Sequence, residues 1–291
     1  MPIGPRKVSF NIYLFKLRKK IHPDLFDGNE FLSYVYKKKI GIERNLKSIE
    51  TLALRASTTD YAFYSPMWKD SYNLGLTSAD LFNTYHLYNN YRNRLPVLKN
   101  VIVFFSVSAP GFSLIHSTER YRTVAFNYFF QVPYSNESYI NPKFEKRIIR
   151  KCNKLNTPDI DFSYSGYEKK NNYGIDIAPP ERVRTHLREN KREPDQMNWL
   201  NSLVNLVNSD ERRLVVVIPP FRSDFKNLLP SEVVLFEKLY ILESEGMKIL
   251  NFFNSDKFHD TDFGDTDHLN EAGAIKMTNE IRKMFENRNW L

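Results

Sequence analysis

The chain has one cysteine, Cys152, in 291 residues. That excludes a disulfide framework within the chain and a zinc site built from several thiolates. A lone thiol fits a reducing compartment. Long apolar runs are missing too. Val101–Val107 and Leu214–Ile218 fall well short of the ~18 residues that a membrane-spanning helix requires, and they read as buried strands. The first twenty residues are basic and interrupted by Asn11, Lys16 and Arg18, so no secretory leader is expected. No internal repeat or low-complexity tract is visible. No known nucleic-acid-binding motif accompanies the basic residues, so a nucleic-acid partner is not expected. Together these absences predict a cytoplasmic protein.

What is present is the composition of a globule. Apolar residues make up 42% and charged residues 26% of the chain, and this balance supports a buried core. The 17 Tyr and 22 Phe argue against disorder. The length suits one large α/β domain or two small ones. Net charge is +8, with basic clusters at Arg6–Lys20, Lys37–Arg44, Lys143–Lys154 and Arg182–Arg192. These are either solvated helix faces or a surface for an anionic partner. The partner would be a membrane surface, a phosphate-rich glycan, a nucleotide or coenzyme A.

Apolar patterning predicts alternating strands and helices. Residues 1–50 read as a basic, mostly helical arm packed on the domain that follows. Strands are expected at Leu52–Ala56, Tyr72–Gly75, Val101–Phe105, Leu214–Ile218 and Lys248–Phe253. Helices are expected from near Ser78 with Thr77 as cap, then over Glu181–Asn190, Gln196–Asn208, Pro230–Glu245 and Glu271–Asn287. Between about residues 109 and 180 the pattern is irregular and aromatic, and reads as an insertion shaping acceptor specificity. Strands alternating with helices imply a parallel sheet of about five strands in a three-layer α/β/α sandwich, flavodoxin-like in outline.

In such a sheet, ligands gather at the carboxyl ends of the strands. Ser57 follows the first strand. Asp265-Thr266-Asp267-His268 follows the last and precedes the final helix. A serine hydroxyl needs a base to become a nucleophile, and histidine is the usual one. The histidine needs an acceptor to fix its tautomer. Asp265, three residues before His268, can supply it. Asp267 is expected to cap the final helix or remain solvated. Asp256, His259, Asp260, Asp262, Asp265, Asp267 and His268 also offer metal ligands, but their spacing matches no calcium loop and no metal is expected.

These residues carry a resemblance to the SGNH (GDSL-like) hydrolase superfamily, especially a divergent branch found in bacterial surface-polysaccharide gene clusters. The first family block, Gly-Asp-Ser, stands here as Arg55-Ala56-Ser57. The last, Asp-x-x-His, is intact at Asp265–His268, with the continuation Leu269-Asn270-Glu271-Ala272-Gly273-Ala274. The likeness covers about residues 50–110 and 180–285. It implies a catalytic set of Ser57, Asp265 and His268. It also implies oxyanion donors from the second and third blocks, which fall here at Gly75 or Ser78 and at Ser108 in place of an asparagine. Arg55, where the family has glycine, would bind an anionic acyl carrier, or else form a surface ion pair.

The implied function is serine-dependent transfer of an acetyl group to a capsule or surface-polysaccharide sugar, or its removal by the related esterase. No cofactor would be tightly bound, and acetyl-CoA would be the acyl donor. The acceptor would be a carbohydrate, with peripheral contact to a membrane or to capsule-assembly machinery. The competing expectation is a non-catalytic glycan-binding or polysaccharide-assembly protein on a degenerate copy of the fold.

Overall fold

Five short strands form one all-parallel sheet in the order β2-β1-β3-β4-β5. They are β1 (Thr51–Arg55), β2 (Ser71–Gly75), β3 (Asn100–Phe104), β4 (Arg213–Ile218) and β5 (Met247–Asn251). The computed structural model describes residues 28–168, 177–190, 196–243 and 246–290. The expected helical lead-in before residue 28 lies outside them, as do parts of the basic clusters at its start and near Arg192. Among the described residues, no helix is long and apolar enough to cross a membrane.

The strands are apolar on both faces because helices cover both. β1, β2 and β3 are buried at every position, whereas β5, at one edge, buries Met247 and Leu250 and exposes Lys248 and Asn251. On one face Ala53, Ile102, Phe104, Val215, Val217 and Leu250 pack with Phe63, Trp68 and the last helix, Glu271–Asn287, through Met277, Ile281 and Phe285. On the other, the helices Leu81–Tyr91 and Met197–Ser209 lie against β1 and β4 and against each other. This is the three-layer α/β/α sandwich the patterning predicts.

The expected strands fall within two residues of their observed bounds, and the helix expected over Pro230–Glu245 is observed as Glu232–Leu242. The helix after β2 differs at its start. Asp80, not Thr77, is its cap: the Asp80 side chain accepts from Asn83 N, and the Asn83 side chain accepts from Asp80 N in return. An ionised carboxylate facing the first free N–H groups explains the choice.

The division of the chain also differs from the expected arm and insertion. Among the described residues two compact units emerge, one made of residues 28–36 and Leu114–Pro158, the other of Lys37–Ser113 and the described residues from Asp159 onward. The boundary falls inside the helix Gly28–Asn45. In the smaller unit, the irregular aromatic stretch contains the helices Arg122–Phe130 and Pro142–Cys152. There the Phe31 ring meets Tyr121 and Phe126, and the Arg122 guanidinium lies 4.5 Å from the Phe31 ring centre. The larger unit holds the sheet and the candidate site.

Candidate active site

The turn after β1 brings Ser57 to the carboxyl edge of the sheet. Arg55 takes a φ of 108°, and Ala56 then caps the short helix Ser57–Ala62, which places Ser57 in its first position. At that position the backbone N–H has no acceptor within the helix. Two contacts hold this helix from behind. Thr59 Oγ1 donates to Leu54 O at 2.7 Å. Asp60, one turn after Ser57, pairs at 2.6 Å with Lys38, both side chains being buried. Lys38 also donates to Asn73 O at 3.1 Å and to Gly166 O, so its ammonium is fully used.

The opposite half of the site is a tight loop. Phe263 and Leu269 form an isolated antiparallel bridge, and Gly264 N donates to His268 O at 2.9 Å. Inside it, Asp265 Oδ1 accepts from the backbone N–H of Asp267 (3.0 Å) and of His268 (2.8 Å). Asn270 ends the loop and caps the last helix by accepting from Gly273 N at 2.9 Å. The Gly273 position has no room for a side chain, because a Cβ there would strike the Asp262 carbonyl.

The structure brings Ser57, His268 and Asp265 together. His268 Nε2 lies 2.9 Å from Ser57 Oγ. Its Nδ1 lies 2.8 and 3.0 Å from the two oxygens of Asp265. Burial works against a charged Asp265, but its bond to His268 keeps its pKa below the usual carboxylate value. An ionised carboxylate only accepts, so the imidazole carries its proton on Nδ1 and leaves Nε2 to accept from the serine. The Tyr61 ring packs 4.7 Å from the imidazole, centre to centre, and restricts its tilt.

Asp267 corrects an expectation. It neither caps the helix nor stays in water. It is buried, and the Arg182 guanidinium grips it with two hydrogen bonds of 2.9 Å. His186 Nε2 is 3.1 Å from its Oδ2, and His268 Nδ1 is 3.8 Å from its Oδ1. Burial opposes its charge, yet His268, His186 and Arg182 together hold its pKa well below the carboxylate range. Burial pulls His186 down, with Asp267 pulling the other way. For His268 burial also acts downward, but Asp267 by its charge and Asp265 by its hydrogen bond lift it above its ordinary value. Arg182 and His186 are four residues apart on the helix Pro179–Glu189, so they share one face. That spacing was a readable signal for this cluster.

Among the remaining expected donors, Gly75 is a correction. Its N–H donates to Asn73 Oδ1 at 2.8 Å. Glycine is needed there for another reason: a Cβ would collide with the Asp60 backbone, so the end of β2 could not approach the Ser57 helix. Ser78 is half-buried in the loop after β2, with φ 69°. Ser108 is half-buried beyond the end of β3, its hydroxyl 3.4 Å from that of Ser106. Arg55 is the largest departure. It is 1% exposed and reaches neither solvent nor a surface acid, so a direct grip on a substrate does not fit its place. Burial pulls its pKa down to about 10, and the charge of Asp80 partly restores it.

A metal fits this donor set poorly. Asp265, Asp267 and His268 lie close enough to share an ion. However, Asp267 is already neutralised by a guanidinium, and both nitrogens of His268 are engaged. Two other acids in the same stretch are likewise occupied, Asp260 by Ser223 and Asp262 by Lys276 and His259 N.

No protein-family model matches the chain, and no curated protein matches it. The chain is similar to the solved structure described as "The structure of a putative platelet activating factor from Streptococcus pneumonia". The two are 10% identical, the match covers 95% of this chain and 98% of that one, and the TM-score is 0.44.

Proposed function

We propose that this protein is a serine-dependent acyl-group enzyme, and that its substrate is an O-acylated carbohydrate or a carbohydrate accepting an acyl group. The observation that carries the first part is the relay Ser57–His268–Asp265, with hydrogen-bond distances of 2.9 and 2.8 Å. Ser57 Oγ attacks the acyl carbonyl as its proton passes to His268 Nε2. The carbonyl π electrons move onto oxygen. Collapse of that oxyanion expels the leaving alkoxide or thiolate, which takes the proton from His268, and an ester on Ser57 remains. A sugar hydroxyl, or water, then gives its proton to His268 and attacks the ester. Collapse of the second oxyanion breaks the bond to Ser57 Oγ, which takes the proton back from His268, and the result is transfer or hydrolysis according to which acceptor arrived. Asp265 keeps the imidazole in the tautomer that both halves require. The backbone N–H of Ser57 is one oxyanion donor, and Ser108 is the second.

The carbohydrate and acetyl parts of this reading rest on the likeness of Asp265–Ala274 to the SGNH pattern. The net charge of +8 suits coenzyme A or an acidic glycan. One observation favours the competing glycan-binding reading: the Gly75 N–H is already spent on Asn73. Intact-mass measurement separates the two. After incubation with acetyl-CoA or p-nitrophenyl acetate, the enzyme should gain one acetyl group, mapped to Ser57 and absent in Ser57→Ala. A glycan-binding protein would gain none.

A further inference from the structure

Arg55 sits two residues before Ser57 in a conformation that suits glycine. Its φ of 108° is one that L side chains rarely adopt. Its side chain is 1% exposed, and Nε has no partner among the described residues. A strained backbone and an incompletely paired buried cation are both unfavourable. The strand does not need them. A glycine would meet the backbone requirement and keep the bond from Leu76 N to the residue 55 carbonyl.

What the arginine adds is a connection. One terminal nitrogen donates to Phe104 O at 2.9 Å and to Ser106 Oγ at 3.2 Å. Ser106 Oγ is 3.4 Å from Ser108 Oγ. A guanidinium can only donate. The Ser106 hydroxyl therefore accepts from it, which occupies one of its two lone pairs and leaves its proton free to donate to Ser108. In the direction Ser106 to Ser108, the second hydroxyl accepts and its own proton is free to point elsewhere. Both ends of this chain lie at the carboxyl edge of the neighbouring strands β1 and β3, where Ser57 also sits.

We propose that Arg55 is a positioning residue that anchors the loop after β3 and sets the direction of the Ser106–Ser108 hydroxyl chain, so that Ser108 donates to the oxyanion formed at Ser57. The inference rests on the reading of Ser57 as nucleophile. It makes the two departures from the SGNH pattern, Arg55 and Ser108, parts of one device.

The test uses hydrolysis of p-nitrophenyl acetate by the full chain, with thermal melts on every variant. Arg55→Met keeps the length and removes the donor. It should lower kcat about a hundredfold, the size of effect that misplacing a catalytic group produces, and leave KM within about twofold. Arg55→Lys restores a buried donor and should recover most of the loss. Ser108→Ala should cost far less in Arg55→Met than in wild type, because the chain is already broken. Wild-type kcat in Arg55→Met, a loss confined to KM, or additive losses in the double variant would each overturn the proposal. Should Arg55→Met fail to fold, Ser106→Ala decides: it removes one hydroxyl, and an unchanged kcat would overturn the proposal equally. Labelling of wild type by a fluorophosphonate probe tests the nucleophile separately. Labelled Ser57 with an unaffected Arg55→Met rejects the positioning role alone, whereas unlabelled Ser57 rejects both readings.

Discussion

Replacing Asp267 by asparagine tests how the second aspartate acts on the base. The substitution keeps the shape and removes one negative charge 3.8 Å from His268 Nδ1. At that distance, with an effective dielectric of ~20, the attraction between imidazolium and carboxylate is about 4 kcal/mol. Arg182 sits on the same carboxylate and cancels part of it, but the net field still raises the His268 pKa. As a base, His268 works only when neutral, so a raised pKa sets the acid limb of kcat/KM above the ordinary imidazole value of 6.5. Asp267→Asn should therefore move that limb to lower pH. The plateau should fall by about three- to tenfold, since the base is weaker.

Stability should respond with its own sign. The Asp267 pKa is depressed, so its contribution is present at neutral pH and lost as pH falls below the ordinary value of 3.8 toward the folded one. The His268 contribution has the opposite sense. It is full below 6.5 and lost as pH rises through the folded value. In Asp267→Asn, Arg182 loses its anion while one quarter exposed, which should cost about 1–3 kcal/mol. The assay is the pH dependence of kcat/KM for p-nitrophenyl acetate, beside melts at pH 5 and pH 8. An acid limb that stays put, or moves upward, would refute the electrostatic argument.

Ser57→Ala and His268→Ala should each abolish ester turnover with melting temperatures close to wild type, whereas Asp265→Asn should leave activity about four orders of magnitude below it. Gly75→Ala should lower the melting temperature, by about 1–3 kcal/mol of stability, because the added Cβ meets the Asp60 backbone; an unchanged melt would show that β2 can retreat freely. Lys38→Met alone strands a buried carboxylate and should destabilise by about 3–5 kcal/mol. Adding Asp60→Leu should recover part of this, and a double variant worse than the sum of the singles would reject the ion-pair account.

The sheet was legible because fully buried parallel strands leave apolar runs, as at Val101–Phe104 and Leu214–Ile218. Ser57, Asp265 and His268 were legible for a different reason. Strand ends converge on one edge, and a three-residue spacing lets a carboxylate reach its own histidine. Partners brought together by tertiary packing could not be matched from sequence, even where, as with Arg182 and His186, their shared helix face was readable. Asp267 is bound by residues 81 and 85 positions earlier, and Lys38 reaches Asp60 across the end of the sheet. Arg55 read as exposed because arginine usually is. Its burial follows from a backbone conformation that turns the side chain inward, and φ is not written in residue type. Gly75 was read as a donor, although its lack of a side chain is what the packing uses.

The last helix lies beside the one that carries Ser57. Tyr64 N donates to Thr278 Oγ1 at 2.7 Å, and Phe285 packs on Trp68. On a ribosome adding about 5–20 residues per second, the segment around Ser57 therefore waits on the order of 10–40 s for its neighbour to be made. During that interval Phe63 and Trp68 are uncovered and the serine has no base. The Ser57–His268 pair thus exists only once the last helix is made, and a ribosome-bound fragment stopped before that helix emerges should show no labelling of Ser57 and should attract chaperones through that bare apolar face.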